Sequence, residues 1–352
     1  MITGLSIENF RRFKKINIDG LKRLTLISGK NNIGKSSILE ALFLMLDHSS
    51  QNSFLKIASY RGLTSLDADN LWKPLFTDMV LDKDIRISIK ENNEKDSAEL
   101  VYCKDTEYVP FSPVGVSDEV ISQLRSATRN SYSLAYHFNH GEYQEDGHFS
   151  TDGKNILADV KTSLDKNEIR SILPARLFSA AVTRFYKTTT NDIGKLELAG
   201  KKNTIIKILK KLDPSIDDIV TISLYGEPQL YVLAEEKLLP IQFAGDGLVK
   251  LLSIVVAIML MHDGLVLFDE LETGFHYSMH ENLWKIIDEV SLEVNCQVIA
   301  TTHSYELIKA AIDGVARTDD FAYFRLGKSK EGIAAYGYDL LNSALKSEME
   351  VR

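Results

Sequence analysis

The chain has 352 residues, 44% of them hydrophobic, and its 41 Lys and Arg against 49 Asp and Glu give a formal net charge of −8. These values exclude a disordered chain, and the length allows one large domain or two. The longest apolar run, residues 251–261, falls short of the roughly 20 apolar residues that span a bilayer. The first residues lack a signal-peptide pattern and the two cysteines lie far apart, so we expect a cytoplasmic protein without membrane segments.

The N-terminal part predicts short strands that lead into a glycine-rich loop and then a helix. Residues 24–27 form a compact run of β-forming residues, and the polar, glycine-rich residues 28–34 follow them. From Lys35 onward, apolar residues recur at helical spacing. Isoleucines alternate with polar residues over 85–89, which predicts a strand with one buried face.

The pattern is looser from residue 112 to 235, where helices are predicted at 118–125 and 192–212 and strands at 219–224 and 229–233. Strands and helices then alternate closely: helix 247–262, strand 265–268, helix 278–290, strand 296–300, helix 304–312 and strands 321–326 and 333–338. This alternation predicts an α/β sheet that is largely parallel in its centre. We divide the chain into three segments, residues 1–110, 111–235 and 236–352.

Residues 29–36 match the pattern G-x-x-x-x-G-K-[ST] between a predicted strand and a predicted helix, the context in which this pattern binds phosphate. The glycines allow backbone N–H groups to converge on an anion, and the N-terminus of the helix adds positive potential. Lys35 supplies a mobile positive charge, and Ser36 offers a hydroxyl group to Mg²⁺.

Two adjacent carboxylates, Asp269 and Glu270, follow the apolar strand predicted at 265–268. A buried strand that ends in charge places that charge at the edge of the sheet where ligands bind. Asp269 is therefore a candidate to hold Mg²⁺, and Glu270 is a candidate to orient and partly deprotonate an attacking water. The alternative is an ordinary solvated strand end.

Two further features stand next to predicted strands or helices. His303 follows the apolar residues 298–300 and two threonines; it is either a loop residue or, beside a nucleotide, a hydrogen-bond donor to the γ-phosphate. Gly245, Asp246 and Gly247 precede a predicted helix. Such a turn is either a simple cap or an anion site, and an anion site here need not serve the nucleotide of its own chain.

The order of these four motifs resembles that of the ABC-type ATPase heads, in particular the branch of RecF, SMC and OLD proteins, whose chains often begin like residues 7–13, Ile-Glu-Asn-Phe-Arg-Arg-Phe. Residues 268–276 and 301–304 are most similar to small stand-alone AAA-family and OLD-like ATPases of bacterial phage-defence loci. The resemblance covers residues 1–110 and 236–340. It implies an α/β, ABC-type P-loop NTPase with a mixed, centrally parallel sheet, an N-terminal antiparallel β subdomain and a helical or mixed insertion.

Carried over to this sequence, the resemblance implies an ATPase that uses ATP and Mg²⁺. Lys35 then contacts the β- and γ-phosphates, and Ser36 and Asp269 serve Mg²⁺. Glu270 is the general base, and His303 is the switch that senses the γ-phosphate. The residues that the resemblance assigns to ATP binding are Gly29, Asn31, Asn32, Ile33, Gly34, Lys35, Ser36, Ser37, Gly245 and Gly247.

The resemblance also implies partners. Gly245–Gly247 stands at the signature motif, which closes over the ATP of a second subunit, and residues 273–276 lie on the same seam, so we expect an ATP-dependent homodimer. Gly245 replaces the signature serine, and a contact in trans therefore rests on backbone N–H groups. The middle segment lacks heptads and the chain ends soon after its last strand. We therefore expect neither a coiled-coil arm nor a nuclease domain, and a separately encoded nuclease or toxin is the expected effector, in phage defence.

Two other functions stay open: a RecF-like DNA-repair ATPase, and a scaffold that binds ATP with negligible turnover. The first depends on the stretch from Arg184 to Lys211, where eight basic residues stand against two acidic ones. This stretch is either the solvated face of a helix or a contact with nucleic acid. His276 and His280 have the spacing of a zinc-binding helix without a third ligand, so we expect a structural role. Three more histidines are expected to be exposed: His137, His140 and His148.

Overall fold

The computed structural model describes residues 1–91, 97–106, 132–162, 173–179, 186–224, 226–327, 332–347 and 349–352. The chain forms two compact units. The parallel-sheet unit consists of Met1, Leu21–Lys35 and Leu173–Arg352, and the antiparallel unit consists of Ile2–Gly20 and Ser36–Ile172. Both units combine stretches that are distant in sequence, and the division into three contiguous segments stays a prediction. The helix predicted at 118–125 lies outside the described residues.

The strands, in chain order, are β1 (Ile2–Phe10), β2 (Phe13–Asp19), β3 (Leu24–Ser28), β4 (Ile85–Glu91), β5 (Ser97–Asp105), β6 (Ser133–His140), β7 (Tyr143–Thr151), β8 (Ile156–Thr162), β9 (Ala175–Phe178), β10 (Ile216–Leu224), β11 (Glu227–Ala234), β12 (Lys237–Pro240), β13 (Leu265–Phe268), β14 (Gln297–Thr302), β15 (Phe321–Leu326) and β16 (Ile333–Tyr336). The α-helices of the described residues are α1 (Lys35–Leu46), α2 (Gln51–Tyr60), α3 (Ala68–Leu71), α4 (Tyr186–Leu198), α5 (Lys202–Lys210), α6 (Asp246–Met259), α7 (His280–Glu293), α8 (Tyr305–Gly314) and α9 (Tyr338–Lys346).

A six-stranded sheet in the order β16-β15-β3-β14-β13-β9 forms the centre of the parallel-sheet unit. Every neighbouring pair runs parallel except β15 and β16, which are antiparallel. β3, β13 and β14 are buried along their whole length, as expected for parallel strands covered on both faces. The predicted mixed, centrally parallel sheet is therefore confirmed. A separate antiparallel sheet, β10-β11-β12, belongs to the same unit.

Helix α6 lies in the core of this unit. Nearly all of its residues after Gly247 are buried, because the sequence is apolar on every side of the helix, and α6 packs against α4, α5 and α7. Its observed bounds are slightly earlier than the predicted 247–262. None of the helices in the described part of the chain combines the length and the apolar character needed to cross a bilayer.

The antiparallel unit contains a seven-stranded sheet in the order β2-β1-β4-β5-β6-β7-β8, in which all neighbours are antiparallel. This confirms the predicted antiparallel subdomain and extends it, because β6 to β8 come from a stretch with no predicted strands. Leu134, Tyr136 and Phe138 alternate on the buried face of β6. That period of two is the signal of a half-buried strand.

The three histidines of β6 and β7 differ in exposure from the prediction. His137 is exposed and pairs with Asp146 at 2.7 Å, as expected, whereas His140 is half-buried. His148 is also half-buried, with Nε2 3.0 Å from Asp105. The expectation of full exposure is wrong for the last two, because they lie on strands whose side chains alternate between faces rather than in a polar loop.

The helix predicted at 192–212 is two helices, α4 and α5. The chain breaks at Gly200, whose φ of 70° is in the left-handed region that glycine adopts without steric cost. The backbone N–H of Gly200 still donates to the carbonyl of Glu197 at 2.9 Å, which caps the end of α4. A glycine just after the last helical turn was the signal for this stop.

Arg23 and Asp288 form a buried ion pair in the parallel-sheet unit. The Arg23 guanidinium donates to the Asp288 carboxylate, to the Asp288 carbonyl at 3.2 Å, to Ser291 Oγ at 2.6 Å and to Asp320 at 3.3 Å. Both partners of the pair have side chains only 8% exposed. Removing one member of such a pair leaves an uncompensated buried charge.

We expect Arg23→Met to lower the free energy of unfolding by about 3 kcal/mol, measured by urea denaturation. Adding Asp288→Leu should recover part of this loss, because it removes the charge left without a partner. The control is Lys285→Met, which breaks an exposed pair with Glu281 and should cost less than about 0.5 kcal/mol. Equal losses in Arg23→Met and Lys285→Met would contradict a structural role for the buried pair.

Candidate nucleotide-hydrolysis site

The predicted phosphate loop leaves the carboxyl end of β3, which lies between β14 and β15 in the sheet. Gly29 has φ 147° and Gly34 has φ 104°, which side-chain-bearing residues rarely adopt. A Cβ at Gly29 would lie 2.1 Å from Ile33 Cδ1 and 2.9 Å from the carbonyl oxygen of Leu326. The tight loop therefore requires glycine at position 29 for lack of space as well as for its backbone angles.

Lys35 begins α1 and folds back over this loop. Its Nζ donates to the carbonyl oxygens of Gly29 at 2.7 Å and of the next residue at 3.1 Å, and Lys35 is only 6% exposed. Burial lowers the pKa of Lys35, and the negative charges of Glu270, Asp269 and Glu272 act in the opposite direction. The fold thus brings the loop lysine within electrostatic reach of three carboxylates that follow β13.

Strand pairing and one threonine position the predicted acidic pair. The Asp269 N–H donates to the Phe178 carbonyl of β9 at 2.8 Å. On the β14 side, Thr301 Oγ1 donates to Asp269 Oδ1 at 2.6 Å and accepts from the Glu270 N–H at 2.9 Å. The Thr301 carbonyl also accepts from Leu271 N–H at 3.0 Å. Thr301 is fully buried, so it links the two acids firmly to the neighbouring strand.

The backbone of Glu270 is strained. Its φ is 47°, a left-handed conformation that costs an ordinary residue about 1–2 kcal/mol. Lys250 of α6 holds the backbone of this turn. Its Nζ donates to the carbonyls of Glu270 at 3.4 Å, Leu271 at 3.2 Å and Thr273. Burial lowers the pKa of Lys250 to about 8, against the opposing charges of Glu272 and Glu270. Strain held in place in this way is typical of functional turns.

His303 leaves the carboxyl end of β14 next to the acids that follow β13. Its side chain is 46% exposed, and Nδ1 lies 3.7 Å from Glu270 Oε1 and 3.1 Å from Glu272 Oε1. The structure therefore brings Lys35, Asp269, Glu270 and His303, all predicted site residues, to one edge of the central sheet. Parallel neighbours that end at the same edge produce this convergence.

The remaining predicted residues of the phosphate loop differ in exposure. Asn31 and Asn32 are exposed, and Asn32 has φ 66°; Ser36 is half-buried in the first turn of α1; Ile33 and Ser37 are buried. Burial of the Ile33 and Ser37 side chains leaves only their backbone N–H groups for a phosphate.

The turn at Gly245–Gly247 starts helix α6. Gly245 has φ 88° and precedes the first helical residue, and a Cβ there would meet no atom within 4 Å. A Cβ at Gly247 would lie 3.5 Å from the Gly274 carbonyl, in ordinary van der Waals contact. The turn is thus open on one side and abuts the loop at Gly274 on the other.

The residues present fit a nucleoside triphosphate with Mg²⁺. The cradle at Gly29, which a Cβ would fill, leaves the loop backbone accessible to an anion, and Lys35 is a buried cation beside it. The Asp269 carboxylate supplies a hard oxygen ligand of the kind that Mg²⁺ prefers and would hold the ion. The role of Ser36 as a second ligand stays a prediction.

Three residues of the site carried no assigned role in the sequence. Thr301 and Lys250 act through hydrogen bonds to residues 20 or more positions away, and no local pattern indicates such bonds. Glu272 follows Glu270 by two residues, and the presence of a third carboxylate in this short loop was the sequence signal that could have indicated a role for Glu272.

The basic stretch at 184–211 is largely paired in its described part. Lysines of α4, α5 and the residues next to them form ion pairs with acidic partners: Lys195 with Asp192, Lys201 with Glu293, Lys202 with Glu197 and Asp218, Lys210 with Asp217, and Lys211 with Glu289. Arg184 lies outside the described residues. Much of the positive charge that suggested a nucleic-acid surface is therefore neutralised within the chain.

His276 and His280, which have the sequence spacing of zinc ligands, lie in different environments. His276 is exposed, with Nδ1 2.9 Å from Ser278 Oγ, whereas His280 is buried at the start of α7 and neither ring nitrogen has a hydrogen-bond partner among the described residues. Burial lowers the pKa of His280, so its neutral form is favoured.

Comparison with known proteins agrees with this geometry. The sequence matches the family model described as an AAA ATPase domain over residues 1–176 and 144–308. It is 27% identical over 357 residues to an ATP/GTP phosphatase of Helicobacter pylori, covering 92% of this chain and 90% of that protein. A stretch of 138 residues is 28% identical to the DNA double-strand break repair Rad50 ATPase of Methanosarcina mazei, covering 38% of this chain and 13% of that protein.

Among solved structures, the fold is similar to two SMC heads, each with a TM-score of 0.52. One is bound to the C-winged helix domain of ScpA, with 14% identity and coverage of 98% of this chain and 99% of the other. The second carries an extended coiled coil and is bound to the C-terminal domain of ScpA derived from Pyrococcus furiosus, with 11% identity and 99% coverage of both chains. These similarities confirm the predicted α/β fold class, here in its SMC-head-like form.

Proposed function

Because the chain belongs to the AAA ATPase domain family, we propose that its parallel-sheet unit hydrolyses ATP at the carboxyl ends of β3, β13 and β14. One observation carries the proposal: β3, β14 and β13 are neighbours in one parallel sheet, so the buried Lys35 of the phosphate loop and the acids Asp269 and Glu270 come to the same edge although more than 230 residues separate them in sequence. A buried cation beside two carboxylates at the edge of a parallel sheet suits a charged phosphate ligand and its metal ion.

Each residue then has a distinct role. Backbone N–H groups of the loop and Lys35 bind the phosphates, and Lys35 exchanges its bonds to the loop carbonyls for bonds to phosphate oxygens. Glu270 orients the attacking water and accepts its proton. His303 donates to the γ-phosphate. When bound, Mg²⁺ would supply charge neutralisation to the phosphates.

We further propose that two chains close over ATP in an ABC-type homodimer, with Gly245–Gly247 facing the nucleotide of the partner. The open side of Gly245 supports this, because nothing within the chain covers it among the described residues. Two exposed aromatic side chains flank the region, Phe243 at 75% and Tyr277 at 66% exposure. Exposed aromatic residues around an anion-binding turn are typical of a protein–protein contact.

The experiment that tests the dimer is light scattering of Glu270→Gln with and without Mg-ATP. We expect a monomer of 39.6 kDa without nucleotide and a doubled mass with it, because slowed hydrolysis retains the ATP between two chains. Phe243→Asp in the same background should stay monomeric, whereas Leu198→Asp, a matched change at a side chain 93% exposed on α4, should dimerise normally. A mass that never responds to ATP would contradict the dimer.

The effector and the process follow from the resemblance of residues 268–276 and 301–304 to OLD-like ATPases of phage-defence loci. We propose that the nucleotide-gated dimer acts in the cytoplasm and controls a separately encoded nuclease or toxin. A RecF-like role in DNA repair is less well supported, because the lysines of the 184–211 stretch are largely paired. A scaffold with negligible turnover is the third possibility, and the kinetics of Glu270→Gln distinguish it.

A further inference from the structure

Glu272 is a third carboxylate at this site, and the hydrolysis described above makes no use of it. It is 9% exposed, and Oε1 accepts the backbone N–H of His303 at 2.8 Å. The same oxygen lies 3.1 Å from His303 Nδ1. Oε2 is buried and has no hydrogen-bond partner among the described residues. Burying a carboxylate is costly unless the charge is paired, so this side chain does more than fill space.

The His303 ring nitrogen faces two carboxylates at different distances. Nδ1 is 3.1 Å from Glu272 and 3.7 Å from Glu270, and only the shorter distance is within hydrogen-bond range. Glu272 is therefore the carboxylate placed to accept an Nδ1–H, and the Glu270 carboxylate is the more distant of the two. A carboxylate on one imidazole nitrogen fixes which nitrogen carries the hydrogen and leaves the other, Nε2, for a ligand.

The loop that carries Glu272 is also fixed to helix α6. Lys250 donates to the carbonyls of Leu271 and Thr273, the residues on either side of Glu272. Lys250 therefore holds the loop backbone, and its positive charge acts on the buried Glu272 carboxylate. The protein's own contacts thus determine the position of Glu272.

We propose that Glu272 is a positioning residue for His303. It holds the ring through Nδ1 and the backbone through the N–H, so that Nε2 is the atom left for the γ-phosphate and Glu270 stays free to act on water. This inference rests on the proposed hydrolysis site. It adds that the His303 ring stays away from the catalytic base Glu270 only while Glu272 accepts the Nδ1–H of His303. Without Glu272, His303 is free to turn to Glu270 and occupy the base.

The first test is a double-mutant cycle on ATP hydrolysis. We expect Glu272→Ala and His303→Ala each to lower kcat about tenfold, and the double variant to be no slower than the slower single variant. The Kd for ADP, which lacks the γ-phosphate, should change by less than about threefold in each variant, because neither side chain holds the loop that binds the other phosphates. Glu272→Gln should recover most of the activity, since its amide oxygen still accepts both N–H groups. Effects that multiply in the double variant would overturn the proposal.

The second test needs no turnover. The ¹⁵N spectrum of histidine-labelled, nucleotide-free protein should show His303 with its hydrogen on Nδ1, the signal being assigned by its absence in His303→Ala. Glu272→Ala should shift it to the Nε2–H form, whereas Glu281→Gln, an exposed change on α7, should leave it unaltered. A wild-type His303 in the Nε2–H form would refute the proposal without any variant. Absence of ATP turnover in the wild type would instead refute the proposed function, and the spectrum would still decide the role of Glu272.

Discussion

Replacing Glu270 with glutamine is expected to lower kcat for ATP hydrolysis by a factor of about 10² to 10³ while leaving ATP binding almost unchanged. The amide keeps the size and shape of the carboxylate but cannot accept the proton of the attacking water. The contacts that hold this turn reach main-chain atoms: Thr301 accepts from the Glu270 N–H at 2.9 Å, and Lys250 donates to its carbonyl at 3.4 Å. The substituted loop therefore keeps its strained backbone, and the loss is confined to chemistry.

Phosphate release and the Kd for ATP, measured on the same preparations, separate the two effects. Glu281→Gln makes the same chemical change at an exposed site that pairs with Lys285, and it should leave both values unaltered. Phosphate release that is unchanged in Glu270→Gln would remove Glu270 from the role of base. Release that is negligible in wild type and variant alike would favour the ATP-binding scaffold.

The strongest sequence patterns correspond to the parts of the fold that depend on local signals. The phosphate loop, the buried strand before Asp269 and the apolar helix α6 were all predicted, because glycine spacing and continuous apolar runs are local properties. The meeting of Lys35 with Asp269 followed from one topological rule, the shared edge of parallel strands. The antiparallel subdomain was predicted too, but without β6 to β8.

Those three strands were missed for a physical reason. In β7, the buried positions include Glu145 and Gly147 as well as Tyr143 and Phe149, so the period of two is hidden in a segment that is polar overall. Glu145 is tolerated inside because His48, with Nε2 3.1 Å from Oε1, and hydrogen bonds from Tyr143 and Tyr136 stabilise its charge, and together they hold its pKa at about 2 although burial opposes this. Tyr136 lies on the neighbouring strand β6 and His48 lies in the turn after α1, and a single sequence does not show that either comes near Glu145.

Charge was the property that the sequence represented least well. The basic stretch at 184–211 carries a large positive excess when counted alone, but Lys201 and Lys211 pair with Glu293 and Glu289 of α7, some 80 to 90 residues further along the chain. Counting charges along a segment omits partners that only the fold brings near. A single sequence also does not show the contacts of Thr301 and Glu272. Thr301 of β14 donates to Asp269, which follows β13, and Glu272 in the loop after β13 accepts the N–H of His303, which follows β14.

Replacing Lys35 with methionine should weaken ATP binding about 100-fold, because two charge-assisted hydrogen bonds of about 1.5 kcal/mol each are lost from the phosphates. The same change should lower the free energy of unfolding of the nucleotide-free protein by less than about 1 kcal/mol. Burial already lowers the pKa of Lys35, which shows that its charge is held at a cost, and methionine fills the same space without that charge. The loss of the bonds to the carbonyls of Gly29 and its neighbour acts in the opposite direction.

Calorimetric titration with Mg-ATP and urea denaturation of the same protein measure the two effects of Lys35→Met separately. Lys285→Met, at an exposed lysine on α7, is the charge-matched control and should bind ATP like the wild type. Unchanged ATP affinity in Lys35→Met would place the phosphates elsewhere and remove the basis for the site. Weaker binding together with a large loss of stability would show instead that Lys35 holds the loop itself. Weaker binding in a protein of normal stability is the result expected of a buried charge that the fold retains for its ligand.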